Sequence, residues 1–163
     1  MQAKSIELPG PDHPITIKPN PARVTVSLAG RIIADTREAL TLREASYPAV
    51  QYIPRKDVDM SLLQRTEHAT YCPYKGDCAY YSIPSGGKRS TNAVWTYEAP
   101  YAAVAEIRDH LAFYPDRVDK IKEQNPNGPP GECWTILEAN PLALFGDGPL
   151  FVEHTVSSLD VVL

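Results

Sequence analysis

The chain contains 163 residues, of which 43% are hydrophobic and 22% charged, and these values fit one globular domain rather than two. Its 16 prolines are about twice the usual share, and they exclude a helical bundle because each proline fixes φ and removes a backbone donor. No apolar run is long enough to span a bilayer, and the N-terminus lacks an apolar signal core. We therefore expect a soluble, cytoplasmic protein with no membrane partner.

Charge and cysteine content exclude several classes of site. The net charge is −4, and no basic stripe of the kind that binds nucleic acid is present. The three cysteines, Cys72, Cys78 and Cys133, form no C-x-x-C pair, and the four histidines are isolated from one another. We expect no disulfide framework, no metal, no cofactor and no nucleic-acid partner.

The pattern of apolar residues predicts a β domain. Polar and apolar residues alternate over Arg23 to Leu28, and after the turn at Ala29-Gly30 extended character resumes, which indicates a hairpin over residues 23–36. Short helices are predicted after Asp57 or Asp59 and over residues 102–108. Further strands are predicted at 39–44, 52–54, 75–83, 91–98 and 110–114. The predicted fold class is mainly β: a compact antiparallel sandwich or small barrel with one or two short helices.

A weak internal repeat suggests two half-units. Residues 44–50 match residues 98–104 at five of seven positions, and each copy precedes an aromatic segment that ends in proline. If this match is more than coincidence, the domain contains an internal pseudo-twofold. Glu44 and Glu98 would then occupy related positions.

The segment Cys72-Pro73-Tyr74-Lys75-Gly76 has the highest density of reactive side chains. A lysine three residues from a cysteine can lower the thiol pKa and favour a thiolate nucleophile, which makes Cys72 a candidate catalytic residue. A small buried residue before a proline turn is the plainer interpretation. Lys75 is also a candidate for binding an anion, because an ammonium at the start of a strand can meet a phosphate or carboxylate.

Two other motifs do not fit the chemistry that they suggest. The Asp57-Val58-Asp59 pair has the spacing of a two-metal site, but no glycine-rich turn lies shortly upstream, so helix capping is the favoured interpretation. The loop at residues 85–90 fails the spacing of a phosphate-binding loop.

Charged residues interleave with aromatic residues on the predicted strands. Trp95 and Tyr97 are two apart on one strand and therefore share a face. They either fill the core or line a pocket in which charged neighbours orient a flat ligand. The predicted ligand-binding residues are Arg23, Glu44, Tyr52, Lys75, Trp95 and Tyr97.

Several segments together resemble domain-of-unknown-function family 427, a bacterial family that also carries a nucleotidyltransferase-like label. The Cys-Pro-x-Lys-Gly segment and the Trp-x-Tyr-Glu segment make the resemblance specific, and it extends over roughly residues 13–120. It implies a compact, mostly β domain similar to β-tent folds. Relatives of that topology often bind zinc through paired cysteines, which this chain lacks, and no motif here supports the enzyme label.

The sequence alone names no reaction, and three hypotheses stay open. In the first, a family-like domain at residues 13–123 binds a small anionic or aromatic, nucleotide-like ligand. In the second, the domain is an enzyme that uses Cys72 as nucleophile or Glu44 as general base. The third hypothesis is an interaction module that uses residues 124–163. This C-terminal extension is predicted to pack on the domain or on a partner, with a homodimer contact as one form.

Overall fold

The computed structural model describes residues 4–126 and the backbone of the two-residue strand Trp134–Thr135. Strands make up about 47% of the described residues. They are β1 (Ile15–Pro19), β2 (Arg23–Leu28), β3 (Arg31–Thr36), β4 (Leu40–Glu44), β5 (Val50–Pro54), β6 (Gln64–Cys72), β7 (Gly76–Ser82), β8 (Val94–Thr96), β9 (His110–Phe113), β10 (Lys120–Gln124) and β11 (Trp134–Thr135).

The strands form two antiparallel sheets. The larger has seven strands in the order β1-β4-β5-β9-β8-β7-β6, and the smaller has four in the order β11-β10-β2-β3. The predicted hairpin is the pair β2–β3, with Thr25 opposite Asp35. The prediction of a mainly antiparallel β domain is confirmed. The prediction allowed either a sandwich or a small barrel. The described residues form two antiparallel sheets and contain no closed barrel.

The seven-stranded sheet is buried on both faces, so consecutive residues of its central strands enter two different cores. Tyr81 and Val94 join a core that also contains residues of β2 and β3 from the smaller sheet, and we call it the inter-sheet core. Tyr80 and Trp95 point to the other face because side chains alternate along a strand. The core on that face, which we call the far core, consists of Leu42, Tyr52, Cys72, Cys78, Tyr80, Trp95, Tyr97, Val104, Ile107 and Ala112.

The predicted short helices are present as 3-10 turns. Asp59 caps the turn Met60–Leu62, and its carboxylate accepts a hydrogen bond from the backbone N–H of Ser61 at 3.1 Å. The turn Ala102–Ile107 buries Val104 and Ile107 against the far core, as predicted. Three further 3-10 segments are Arg55–Asp57, Pro84–Ser90 and Pro115–Arg117. Within residues 4–126, no helix has the length and apolar character needed to cross a lipid bilayer.

Besides the two-residue β11, three strands were not predicted from the sequence. β1 and β6 are the two edges of the larger sheet, and most of their residues are exposed or half-buried. β6 is also irregular, because its register with β7 shifts between Arg65 and Ala69. β10 carries two lysines and a glutamate and is only half-buried. Their apolar residues are few, such as Ile15 and Ile17 in β1 and Ile121 in β10, so the alternation on which pattern-based prediction depends is short or absent.

The expectation that Glu44 and Glu98 occupy related positions is wrong. Glu44 is the last residue of β4, and its side chain is buried. Glu98 follows β8, is half exposed and forms a two-point ion pair with Arg65. The matching segments have different surroundings because one connects β4 to β5 inside the larger sheet and the other leads into a 3-10 turn.

The C-terminal extension lies mostly outside the described residues. Within it, the backbone of β11 pairs with β10, with Trp134 opposite Glu123. The predictions for the remainder of residues 124–163, including packing on a partner, fall on residues that are not described.

Gly76 gives the fold a direct test. Its φ is +106°, and a Cβ added there would lie 3.4 Å from the carbonyl oxygen of Ala99. Gly76→Ala is therefore expected to lower the free energy of unfolding by about 1–2 kcal/mol, because an L side chain rarely adopts this conformation. Urea denaturation measures the change. Gly10→Ala is the control, since Gly10 lacks a positive φ and its added Cβ would have 4.0 Å of space; equal losses in both variants would contradict the argument.

Candidate functional site

Five of the six predicted ligand-binding residues lie together on the far-core side of the larger sheet. Tyr52, Trp95 and Tyr97 belong to the far core itself. Glu44 and Lys75 meet as a buried ion pair beside them. The chain brings these side chains together from β4, β5, β8 and the turn between β6 and β7.

Arg23 is the exception, because it lies on the smaller sheet. Its neighbours Val24 and Val26 point into the inter-sheet core, so alternation places Arg23 on the outer face of β2. There its guanidinium donates two hydrogen bonds to Asp35, at 2.8 and 2.6 Å. This pairing raises the pKa of Arg23 and lowers the pKa of Asp35. Arg23 is separated from the other five residues by the body of the domain.

Lys75 reaches the interior from a tight turn. Pro73, Tyr74 and Lys75 connect Cys72 to Gly76, which face each other at the end of the β6–β7 hairpin. The backbone N–H of Lys75 donates to the carbonyl of Cys72 at 3.3 Å, and its own carbonyl accepts from the N–H of Tyr101 at 3.1 Å. The positive φ of Gly76 lets the chain leave the turn directly into β7. These constraints turn the Lys75 side chain inward, where only 1% of it is exposed.

The ammonium of Lys75 is ion-paired with Glu44, and Glu44 also contacts His13. The Lys75 Nζ donates to Glu44 Oε2, while Glu44 Oε1 lies 2.9 Å from His13 Nε2. A carboxylate only accepts hydrogen bonds, so His13 Nε2 carries the hydrogen of this contact. The His13 ring stacks on Tyr74 with centroids 4.0 Å apart and planes 6° from parallel.

His13 is the member of this candidate cluster that sequence reasoning missed. It is separated from Glu44 by 31 residues along the chain and precedes a strand that was not predicted. Its side chain is 23% exposed, whereas those of Glu44 and Lys75 are 7% and 1% exposed. His13 is therefore the member of this charged group that connects it to solvent. The pairing of β1 with β4, which sets Ile15 opposite Glu44, is what brings it there.

Aromatic residues form the inner wall of the site. The indole N–H of Trp95 donates to the Tyr52 hydroxyl at 3.2 Å, and the two rings meet edge to face. Lys75 Nζ lies 5.9 Å from the centroid of the Tyr97 ring, within the range of a cation–π contact. The Tyr97 hydroxyl is buried and has no hydrogen-bond partner among the described residues. Burial raises the pKa of Tyr52 and of Tyr97, so both are neutral phenols at physiological pH.

The two described cysteines are buried behind the turn and are free thiols. Burial raises the pKa of the Cys72 thiol, and the opposing effect of the Lys75 charge is smaller. The pKa of Cys78 is raised by burial to about 11. Lys75 lowers the pKa of Cys72 as expected, but the loss of hydration outweighs this effect, and the net pKa of the thiol is raised.

Asp57 and Asp59 hold local structure. The hydroxyl of Thr36 donates to Asp57 at 2.6 Å, which ties the turn after β5 to β3. Asp59 is the helix cap described above, as the sequence predicted. Among residues 4–126, no group of three or more histidine, cysteine or acidic side chains has an arrangement that could hold a metal ion.

The arrangement offers two kinds of chemistry. A buried cation, an aromatic wall and an unpaired hydroxyl can recognise a flat ligand with an acidic group. A histidine oriented by a buried carboxylate can accept or release a proton at its outward nitrogen.

The buried ion pair makes a prediction about stability. Lys75→Met is expected to lower the free energy of unfolding by about 3–5 kcal/mol, because it leaves the Glu44 carboxylate buried without its main partner. The double variant Lys75→Met/Glu44→Leu should recover much of this loss, since both charges are removed. Denaturation of the two single variants and the double variant measures the coupling. The control is Lys56→Met, whose exposed pair with Glu38 should contribute little; additive losses from the two single variants would contradict the assignment.

The thiols make a prediction about reactivity. In a Cys133→Ser variant, alkylation by iodoacetamide at pH 8 should be much slower than that of a free thiol, and the rate should begin to rise only at clearly higher pH. The reason is that burial raises both thiol pKa values, so the thiolate is scarce until the pH approaches them. Rates measured from pH 7 to 11, with the denatured protein as control, check this. A midpoint near the ordinary value of about 8.5 would contradict it.

Comparison with known families and proteins identifies the domain. The model of a family described as a domain of unknown function (DUF427) matches residues 16–124, a range that begins within β1 and ends with β10. No curated protein matches the chain. The matched segment includes Glu44, Lys75 and the aromatic wall and omits His13. Since the match extends over more than half of the 163 residues, this chain belongs to the family DUF427.

Proposed function

We propose that the domain binds a small ligand with an anionic group and a flat, nucleotide-like ring at the charged and aromatic cluster on the far-core side. The observation that carries this proposal is the position of the Lys75 ammonium. It lies inside an aromatic core, against Glu44 and the Tyr97 ring. A cation in that setting is a recognition group for an acidic ligand.

Energetics support a functional origin for this cluster. A buried ion pair can often be replaced by apolar residues without loss of stability, so stability alone gives little reason for Lys75 and Glu44. The buried hydroxyl of Tyr97 has no partner among the described residues, and such a group costs about 1–3 kcal/mol. A ligand atom that hydrogen-bonds to Tyr97 would recover that cost.

The N-terminal segment lies along the turn that carries Lys75. The backbone N–H of Glu7 donates to the carbonyl of Pro73 at 3.0 Å, and the hydroxyl of Tyr71 donates to the carbonyl of Ser5 at 2.5 Å. These contacts hold the segment over the turn that carries Lys75. In the proposed mode of binding, this segment and the His13 side chain move aside, and the ligand ring stacks on Tyr74.

Glu44 acts as an internal competitor in this proposal. Its carboxylate occupies the position at Lys75 and His13 that a carboxylate or phosphate of the ligand would take. Binding therefore exchanges one anion for another. The charge of the site stays balanced, and the ligand adds stacking and a hydrogen bond to Tyr97.

A ligand screen tests this proposal. The full chain is screened by thermal shift against nucleotides, nucleosides and aromatic carboxylates, and binding is then measured by calorimetry. Lys75→Met should abolish the shift, and Tyr97→Phe should weaken binding about threefold to tenfold, because one hydrogen bond is lost. Glu44→Gln should tighten binding, since it removes the competing charge.

Arg23→Gln is the matched control, because it removes a cation on the other sheet. No shift with any anionic or aromatic compound, or an equal loss in the Arg23 and Lys75 variants, would overturn the proposal. Circular dichroism is used first to verify that the Lys75→Met variant is folded.

The contact between His13 and Glu44 favours an acid–base enzyme as a second candidate. Glu44 holds His13 in one orientation, which is the arrangement that activates a general base. In this case Glu44→Gln would abolish turnover of a bound compound, whereas the leading proposal expects tighter binding. The cysteine version of the enzyme hypothesis has less support because Cys72 is buried and its pKa is raised. The interaction-module hypothesis depends on residues 124–163, most of which lie outside the described residues.

A further inference from the structure

A second cluster, with no role in the site above, lies around Tyr81 at the opposite face of the larger sheet. Tyr80 and Tyr81 are neighbours on β7, and alternation directs Tyr80 into the far core and Tyr81 into the inter-sheet core. At the rim of this core, two arginines approach the Tyr81 ring. The Cζ atoms of Arg55 and Arg65 lie 5.8 and 6.0 Å from its centroid.

The backbone fixes both arginines in place. Arg65 lies directly opposite Tyr81 in the β6–β7 pair, so the two side chains share a face. Arg55 follows the buried end of β5 and begins a 3-10 turn, where its N–H donates to the carbonyl of Asp109 at 2.8 Å. Strand pairing therefore places Arg65 beside Tyr81, and the hydrogen-bonded turn after β5 places Arg55 there.

The charges in this cluster are unbalanced. Glu98 accepts hydrogen bonds from both terminal nitrogens of Arg65, at 2.5 and 3.0 Å. This pairing, together with the charge of Arg55, lowers the pKa of Glu98. Arg55 itself has no carboxylate partner among residues 4–126. Two guanidinium groups thus face one carboxylate, which leaves one positive charge.

Hydrogen-bond donors also remain unused. Arg55 Nη1 donates to the Tyr81 hydroxyl at 3.3 Å, which is the one side-chain hydrogen bond of Arg55 among the described residues. Because that hydroxyl accepts from Arg55, its own hydrogen points elsewhere, and no acceptor for it occurs among the described residues. An anion placed beside Arg55 can therefore accept from the guanidinium and from Tyr81 together.

We infer that Arg55, Tyr81 and Arg65 form a binding site for a phosphate group. A phosphate group carries three acceptor oxygens and a charge of about −1.5 to −2 at neutral pH. The donors that could bind these oxygens are the guanidinium groups of Arg55 and Arg65 and the hydroxyl of Tyr81. The Glu98 carboxylate shows that the Arg65 guanidinium is placed to donate to an oxyanion. The site is separate from the Lys75 cluster and does not depend on the proposed function, since it lies on the other face of the sheet.

Binding of inorganic phosphate to the full chain tests this inference. Calorimetry is performed at constant ionic strength, with sodium chloride as the balancing salt, so that the screening of charges by salt is the same in every titration. The wild type should bind phosphate, and Arg55→Gln should weaken binding at least about tenfold through loss of a charge-assisted pair. Tyr81→Phe should weaken it severalfold. Glu98→Gln should tighten it, because a competing carboxylate is removed from Arg65.

The matched control is Arg23→Gln, which removes the same charge from an exposed, carboxylate-paired arginine on the smaller sheet. It should leave phosphate affinity unchanged. Absence of phosphate binding to the wild type would overturn the inference. So would an equal loss in the Arg23 and Arg55 variants, since that would show a general effect of net charge. Arg55 is exposed, so its replacement should not prevent folding.

Discussion

The burial of both faces of the seven-stranded sheet is the constraint on which the remaining features depend. Side chains of β7, β8 and β9 alternate between the inter-sheet core and the far core, so neighbouring residues such as Tyr80 and Tyr81 have entirely different surroundings. Each position along these strands is committed to one face, because a shift of one residue would exchange the two cores. The two candidate sites lie on opposite faces for this reason.

Burial of the second face also explains the charged cluster. The turn between β6 and β7 projects Lys75 into a region lined by aromatic side chains, where an ammonium must have a partner. Glu44 supplies the partner, and the pairing of β1 with β4 adds His13. The result is a connected group of one cation, one carboxylate and one imidazole that extends from the interior to the surface. Arg55, Arg65 and Glu98 form the corresponding charged group on the other face, but at the rim and in contact with solvent.

Prediction from the sequence succeeded where one side of a strand is apolar. The β2–β3 hairpin and β4 show clear alternation, and β7 to β9 have the aromatic and β-branched residues that fill two cores. The edge strand β6 has no such pattern, and in β1 it is limited to Ile15 and Ile17, so both strands were missed. The internal repeat predicted the wrong surroundings for Glu98, because similar local sequence gives no information about which residues pack against it.

The sequence predicted the mainly antiparallel β class, the β2–β3 hairpin, a helix cap at Asp57 or Asp59 and, through the Cys-Pro-x-Lys-Gly and Trp-x-Tyr-Glu segments, the family. These features depend on side-chain periodicity and on residues close in the chain, which a sequence displays directly. Only the tertiary structure decided that Arg23 lies apart from the other predicted site residues, that His13 joins Glu44 and that Arg55 and Arg65 meet at Tyr81. Those contacts join residues from separate strands, and the order and register of the sheets place them together or apart.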